Sequence, residues 1–337
     1  MGEKQAASTR ATVLLVVVNL ISVASLVWTL HDAKLSELKD DLLEMDWWWV
    51  GLAVIADIAV YFWHGLRWSL LLKPIVPARF GQTVRAIYVG LFANEVLPFR
   101  AGELVRCYLI ARWTNLPFSV AVSSAIIERI FDGVWLCACL FFALKLVMFP
   151  RQFRPLVDGA WVLGGFVLAG AVLLALASIR RRRDGPSPVP EGASKLRRQF
   201  HVLVEDLGLI SHSKYLPLSF FQSLPYLLLQ VIPIWAAFHG YGFDLGWTPA
   251  FVLMVVLRLS SAVPQAPGNL GLFQFLTREC LQRVFDVVPA EAARFSLVLW
   301  GIVTLPLLTA GFIALTITEA KVGELRKAAE LEAGKLK

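Results

Sequence analysis

The sequence has little charge for its length. Charged residues make up 17% of its 337 residues and hydrophobic residues 57%, whereas soluble globular proteins contain about 25% charged and about 45–50% apolar residues. This imbalance excludes a soluble enzyme and a nucleic-acid-binding module, although the net charge is +7. In a membrane protein, excess lysine and arginine more often mark cytoplasmic loops than a ligand. We therefore expect no nucleic-acid partner.

Cysteine, histidine and catalytic motifs are also scarce. The four cysteines show neither zinc-site spacing nor a disulfide framework, and only five histidines occur. The sequence motifs of phosphate-binding loops, zinc proteases, serine hydrolases and dinucleotide-binding folds are absent. The sequence thus predicts no catalytic residue, no metal site and no cofactor. We expect a protein that is not an enzyme, with an intramembrane enzyme as a weaker alternative.

Long uncharged runs are abundant, and several reach the ~20 residues that a helix needs to cross a bilayer. They predict an all-α polytopic membrane protein with about six spanning helices, namely 11–30, 47–72, 117–148, 156–179, 215–239 and 291–318. One transmembrane domain then covers 1–320, followed by a charged tail at 319–337.

The longest hydrophilic stretch, 180–214, separates two predicted halves at about 47–179 and 215–318. Apolar residues at helical spacing within it predict a short amphipathic helix on the membrane surface. If the N-terminus is cytoplasmic, 18 basic loop residues lie inside and four outside. This distribution predicts that both termini and the linker are cytoplasmic, most simply in a bacterial inner membrane.

Two apolar segments, 80–112 and 249–285, are interrupted by proline and glycine. Both fit a pattern of an aliphatic residue, proline, three residues, glycine, Glu or Asn, and leucine, at an offset of 166 residues. The match indicates an internal duplication. The hinge residues at the two predicted tips are Pro98, Gly102, Pro264, Pro267 and Gly268.

A helix break at membrane depth is tolerated only where protein or a wet cavity covers it. We therefore interpret both segments as re-entrant helical hairpins whose tips meet inside an inverted repeat, an arrangement that recurs in transporters. The alternative is that each arm spans the membrane, which would give eight to ten spanning helices.

Ionisable side chains inside a membrane are costly and mark candidate functional sites. They are concentrated in the two broken segments and in the predicted helix 117–148. The candidate headgroup-binding residues are Asn94, Glu95, Arg100, Glu103, Arg106, Glu128, Arg129, Asp132, Arg258, Gln265 and Asn269. A purely structural role as internal ion pairs is the alternative for each of them.

Where each hairpin resumes its helix, free backbone N–H groups and the helix dipole favour an anion. Arg100, Arg106 and Arg258 add guanidinium groups, which bind phosphate in a bidentate manner. A phospholipid or polyprenyl-phosphate headgroup fits this chemistry better than a metal or a sugar alone.

Three motifs together resemble the flippase-like membrane domain of lysylphosphatidylglycerol synthases. They are the segment 94–103 followed by Arg106, the segment 128–132, and the segment 264–271. The resemblance extends from about residue 10 to 320. It implies a domain that moves a lipid between leaflets. No soluble aminoacyl-transferring domain follows, so synthase activity is not implied.

The expected function is thus a lipid flippase or transporter, with membrane lipids as partners. An accessory subunit of a lipid-linked glycosyltransferase or lipid-synthesis pathway is the alternative, with that enzyme as a protein partner. Aminoacylated phosphatidylglycerol, a hopanoid and a polyprenyl-linked sugar all remain possible lipids, and the sequence leaves the oligomeric state open.

Overall fold

The computed structural model describes residues 16–17, 19–31, 33–96, 101–185, 187, 194–211, 214–261 and 266–318. Helices account for all the regular structure of this part of the chain. They are α1 (Asn19–Leu30), α2 (Leu38–Glu44), α3 (Trp47–Leu72), α4 (Phe80–Val96), α5 (Gly102–Thr114), α6 (Phe118–Leu146), α7 (Arg154–Asp184), α8 (Lys195–Ser211), α9 (Leu216–Leu228), α10 (Val231–Tyr241), α11 (Trp247–Ser260), α12 (Leu272–Val284) and α13 (Pro289–Ile317).

The ends of the long helices follow local chemistry. The Asp46 carboxylate accepts a hydrogen bond from the Trp48 amide at 3.0 Å and caps the start of α3. α7 and α13 each begin with a proline in the first turn, where its missing N–H costs nothing. Arginines fill the last turn of α7, where positive charge complements the helix dipole.

Four segments of the described chain are long and apolar enough to cross a membrane: Trp47–Leu72, Arg151–Arg183, Leu216–Tyr241 and Pro289–Ile317. The 29-residue helix α6 is not one of them, because charged residues interrupt its middle. Of the predicted span 11–30, residues 11–15 and 18 lie outside the described residues, and residues 19–30 form the short apolar helix α1. The chain is a helical membrane protein, and six crossings remain a prediction.

The predicted span 215–239 is divided into α9 and α10 around Leu229 and Gln230. The segment Leu216–Tyr241 is still long and apolar enough to cross a membrane, as predicted. Pro233 has no N–H to donate to the Leu229 carbonyl, and its ring clashes with that carbonyl in a regular helix. Pro225 lies one turn before the break. The two prolines therefore bend the segment beside the space between the hairpins.

The amphipathic helix α8 packs against protein. Leu207 and Ile210 are buried, and the helix contacts α6 and α7. An ion pair of 3.2 Å joins Arg181 of α7 to Glu205 of α8. The sequence pattern predicted an amphipathic helix on the membrane surface, and that position stays a prediction. α6 and α7 cover the part of its apolar face that includes Leu207 and Ile210, whereas Phe200 is 54% exposed.

Each half contains a long helix, a helical hairpin and a second long helix, in the order α3, α4–α5, α6 and then α9–α10, α11–α12, α13. The packing partners correspond as well. α4 contacts α13, α11 contacts α6, and α3 contacts α10. α7 and α8 lie between the halves in sequence.

Close approach of the hairpin arms depends on glycine. A Cβ on Gly102 of α5 would lie 1.8 Å from the Gly90 carbonyl oxygen of α4. The Asn94 side chain accepts a hydrogen bond from the Gly102 amide at 2.8 Å. In the second hairpin a 3₁₀ turn, Pro267–Asn269, precedes α12, and Gly268 has a φ of 74°, a conformation that favours glycine.

The segment before α3 is held by Arg294 of α13. Its guanidinium contacts Asp41 at 2.5 Å and Glu37 at 2.8 Å. Tyr241 also donates a hydrogen bond to Asp41. This cluster attaches α2 to α10 and α13 at one end of the bundle.

Candidate functional site

A cavity of about 480 Å³ lies between the two hairpins. The cavity lies where the two apolar clusters of the protein meet. Its wall includes Ile87 from one cluster and Met254 from the other. Its charged wall residues are Asp57, Glu95, Glu103, Arg106, Arg129, Asp132 and Arg258. This volume lies within the range of small-molecule binding sites.

A buried ion network forms one side of the site. Glu128 is fully buried and accepts hydrogen bonds from Arg67 at 3.1 Å and from Arg106 at 2.8 Å. Arg67 also donates to Asp132 and to the Ser223 hydroxyl. The network therefore joins α3, α5, α6 and α9.

The same network continues toward the cavity. Arg106 contacts Glu103 at 2.8 Å, and Glu103 also accepts a hydrogen bond from Arg129. Arg129 lies 3.8 Å from Asp132. Three arginines thus face three carboxylates, so the formal charges cancel. Cancellation lowers the cost of burying Arg67, Arg106, Glu128 and Asp132, whereas Arg129 and Glu103 are partly exposed.

Arg67 was missed as a site residue. Its place near the predicted end of α3 suggested a membrane interface, yet its side chain is fully buried. The polar residues Asp57, Tyr61, His64 and Arg67 recur every three or four positions along α3. That spacing places them on one helix face. It is the sequence pattern from which Arg67 could have been predicted as a site residue.

A second polar group also lines the cavity. Arg258 donates to the Tyr226 hydroxyl at 2.8 Å. Asp57 and Tyr61 of α3 lie within electrostatic reach of Arg258. His64 also lines the cavity, 3.4 Å from Glu128. These contacts join the second hairpin to α9 and the helix α3 to α6.

The two hairpins touch, as the sequence predicted. The Asn269 side-chain amide donates to Glu95 at 3.3 Å, and α4 contacts the 3₁₀ turn of the second hairpin. The Gly268 carbonyl accepts a hydrogen bond from the Trp300 indole at 2.7 Å. The tip of the second hairpin is thereby fixed to α4 and α13.

The structure places most of the predicted site residues together, in different roles. Glu128 lies behind the cavity wall and holds two arginines. Asn94 lines the cavity and its side chain accepts a hydrogen bond from the Gly102 amide at the start of α5. The sequence predicted that this amide would be free to bind an anion, so that expectation was wrong. Pro267 begins the 3₁₀ turn. The predicted residues Pro98, Arg100, Pro264 and Gln265 lie outside the described residues.

Within the described ranges, no group of three or more histidine, cysteine or acidic side chains could hold a metal ion. The four cysteines are free thiols. The chemistry available in the cavity is therefore charge pairing and hydrogen bonding by guanidinium, carboxylate, phenol and amide groups.

Comparison with known proteins places this architecture in a family. Two membrane proteins of Methanothermobacter thermautotrophicus, each named a UPF0104 membrane protein, are similar to the chain. One is 25% identical over 65% of this chain and 69% of its own length. The other is 20% identical over 77% of this chain and 81% of its own length. The glycosyltransferase AglD of Haloferax volcanii is 32% identical over a match that covers 24% of this chain and 14% of that protein. The family model described as the lysylphosphatidylglycerol synthase TM region matches residues 13–311, and the chain belongs to that family.

Proposed function

We propose that this protein moves a lipid with a phosphate-bearing headgroup, a phospholipid or a polyprenyl-linked lipid, between membrane leaflets. The observation that supports this most directly is the cavity of about 480 Å³ between the hairpins, with charged and apolar walls. A headgroup needs polar partners while its acyl chains stay in lipid. A mixed wall inside a helical membrane protein meets both needs.

Arg258 is the favoured phosphate-binding residue. Its described contacts are the hydrogen bond and the ring contact to Tyr226, and no carboxylate of the described chain lies within 4 Å of it. Its guanidinium therefore retains donors for a bidentate phosphate contact. Arg129 is half exposed at 48% and provides a second cation at the same cavity.

Arg106 has a different proposed role. It is buried, and its guanidinium contacts Glu103 and Glu128. Binding a phosphate through Arg106 would require breaking these contacts. We therefore assign Arg106, with Arg67 and Glu128, to positioning the cavity wall.

The paired hairpins suit transport by alternating access. In inverted-repeat transporters, discontinuous helices meet at the substrate site and one repeat moves against the other. We propose that the two halves form such a repeat, with hairpin tips at the cavity. Cytoplasmic termini in a bacterial inner membrane complete this arrangement.

The orientation is testable by labelling single cysteines at Ser8, Ser194 and Ala333 in a cysteine-free background. An impermeant thiol reagent should label none of them in intact cells and all of them in inverted vesicles. Labelling in intact cells contradicts the orientation without affecting the lipid-transport proposal.

Transport is tested in proteoliposomes containing fluorescent phosphatidylglycerol and, separately, a fluorescent polyprenyl phosphate. Dithionite bleaches the outer leaflet, so bleaching of inner-leaflet label measures movement. Arg258→Gln should slow movement at least about tenfold, since hydrogen bonds to charged groups contribute about 1.5–3 kcal/mol. Arg258→Lys should also slow it, because a point ammonium lacks the bidentate fork.

The matched control is Arg283→Gln on α12. Arg283 is paired with Glu279 and is not part of the cavity wall. Its rate should equal that of the unmodified protein. Equal rates for folded Arg258→Gln and Arg283→Gln would eliminate Arg258 as the phosphate contact. No movement of either lipid by the unmodified protein would contradict the transport function.

A second candidate function follows from the partial match to AglD, whose name is that of a glycosyltransferase. We propose as the alternative an accessory subunit for a lipid-linked glycosyltransferase. In that case the protein would stimulate sugar transfer by a co-expressed enzyme without moving lipid in proteoliposomes. Arg258→Gln would then leave the stimulation unchanged.

A further inference from the structure

Tyr226 of α9 is a buried aromatic residue at the place where the ion network meets the cavity. It is 2% exposed and belongs to the cavity wall. The Cζ atom of Arg67 lies 4.8 Å from the centroid of its ring, and the Cζ atom of Arg258 lies 5.4 Å from it. Both distances are within the range of a cation–π contact. One ring therefore contacts both the buried network and the favoured phosphate-binding residue.

The Tyr226 hydroxyl makes one hydrogen bond within the described part of the chain, and it does so as an acceptor. The donor is the Arg258 guanidinium, at 2.8 Å. A phenol is also a donor, and none of the described residues accepts a hydrogen bond from this one. The hydroxyl therefore retains a donor for an acceptor that enters the cavity beside Arg258.

The backbone at Tyr226 is held at the break between α9 and α10. The Gln230 amide donates to the Leu227 carbonyl at 3.1 Å, and the Gln230 side chain donates to the Tyr226 carbonyl at 2.9 Å. The side chain thus satisfies a carbonyl at the end of the helix. The His64 ring packs on the Tyr226 ring with a centroid distance of 4.9 Å. These contacts hold the hydroxyl beside Arg258.

We propose that Tyr226 is a phosphate-binding residue of the cavity, which positions the Arg258 guanidinium and donates a hydrogen bond to the same phosphate. A phosphate has several acceptor oxygens, so two can face the guanidinium while a third faces the phenol. Arg67 supports the ring and is itself held by Glu128 and Asp132. This inference rests on the proposed function.

The variant Tyr226→Phe removes the hydroxyl and keeps the ring beside Arg67 and His64. Titration calorimetry of the full chain in detergent, with dioctanoyl phosphatidylglycerol as the ligand, measures its affinity. Binding should weaken at least about tenfold, because a hydrogen bond to a charged group is lost and Arg258 loses its acceptor. The denaturation midpoint should change little in comparison.

Tyr88→Phe on α4 is the matched control. Tyr88 is 4% exposed, and its hydroxyl donates to the Ile58 carbonyl at 2.8 Å. It is not part of the cavity wall. Its variant loses a buried hydrogen bond as well, but should bind the lipid as the unmodified protein does. Equal affinities of Tyr226→Phe and Tyr88→Phe overturn the proposal.

The double variant of Tyr226→Phe and Arg258→Gln tests whether the two side chains share one phosphate. It should bind within about threefold of Arg258→Gln alone, because contacts to one shared group are not additive. A loss equal to the product of the two single losses overturns the shared contact.

A fluorotyrosine in place of Tyr226 alone gives a test that keeps the hydroxyl and does not depend on the folding of Tyr226→Phe. Its fluorine resonance should shift as dioctanoyl phosphatidylglycerol is added, whereas the same probe in place of Tyr88 should not. Lipid binding without a shift at Tyr226 overturns this inference alone. Absence of both binding and movement of lipid by the unmodified protein overturns the transport function with it.

Discussion

The two halves of the molecule have the same order of elements and different chemistry. In the first half, α6 places Glu128 and Asp132 in its middle, and they bind Arg67 and Arg106. In the second half, the corresponding helix α13 buries Leu299 there. Glycine allows the close approach or the turn in both hairpins, at Gly102 and at Gly268, so this part of the backbone plan does not depend on the charges. The charges instead make one wall of the cavity polar.

The difference also extends to the hairpins. The first hairpin connects to its own half through Arg106 and Glu128. The second hairpin is held by Glu95 of α4 in the first half and by the Trp300 indole of α13 in its own half. One hairpin is thus stabilised mainly by ion pairs and the other by hydrogen bonds from its surroundings. Substitutions that remove an ion pair or a hydrogen bond from one hairpin at a time test this difference between the halves.

The largest effect is expected for Glu128→Gln, since this change leaves two buried arginines without their shared carboxylate. Removing one partner of a buried pair costs about 3–5 kcal/mol. The denaturation midpoint in detergent should fall sharply. Glu279→Gln is the control in the second half, because Glu279 contacts the partly exposed Arg283. Similar midpoints for the two variants would contradict the difference between the halves.

A smaller but substantial effect is expected for Gly102→Ala. The added Cβ meets the backbone of Gly90, which cannot move aside as a side chain would. Overpacking of this kind costs about 1–3 kcal/mol. Gly301→Ala on α13 is the control, with only Leu305 at 3.9 Å. Thermal unfolding followed by tryptophan fluorescence should separate them; an unaffected Gly102→Ala would contradict the close approach of α4 and α5.

Asn94→Ala should destabilise the first hairpin by about 1 kcal/mol, because it removes the acceptor for the first amide of α5. Asn94→Asp keeps an oxygen acceptor and should retain most of the stability. Hydrogen exchange at the start of α5 measures the effect locally. Equal exchange rates in Asn94→Ala and the unmodified protein would remove the capping role.

The smallest effect is expected for Arg129→Gln. Both side chains of the Arg129–Glu103 pair are partly exposed, at 48% and 37%, and exposed pairs contribute about 0.2–1 kcal/mol. Unfolding in detergent should change little, whereas lipid movement should slow if Arg129 contacts the headgroup. A loss of stability as large as that of Glu128→Gln would place Arg129 in the buried network.

Apolar runs and helix-breaking residues were sufficient to predict the long helices. The predicted range 47–72 coincides with α3, and the predicted 291–318 differs from α13 by two residues at its start and one at its end. Apolar length and flanking polar residues act locally, so the sequence contains them directly. The contact between the end of α4 and the tip of the second hairpin also followed, since buried helix breaks must be covered.

Tertiary pairing accounts for what the sequence did not reveal. Arg67 near the end of an apolar run resembles an interfacial anchor, and only the partners on α6 show that it is buried. Similarly, the apolar face of α8 suits lipid or protein equally well. Such choices depend on residues far apart in the chain, which one sequence without relatives does not connect.

The neutral ion network of Arg67, Arg106, Arg129, Glu103, Glu128 and Asp132 has an evolutionary consequence. Each carboxylate in it serves more than one arginine, so a single charge change disturbs several partners at once. We therefore expect that, during evolution, a charge change at one of these positions is accompanied by an opposite change at another. The six formal charges then still sum to zero. Across the family, substitutions at these six positions should covary, while the facing apolar wall of α13 varies independently.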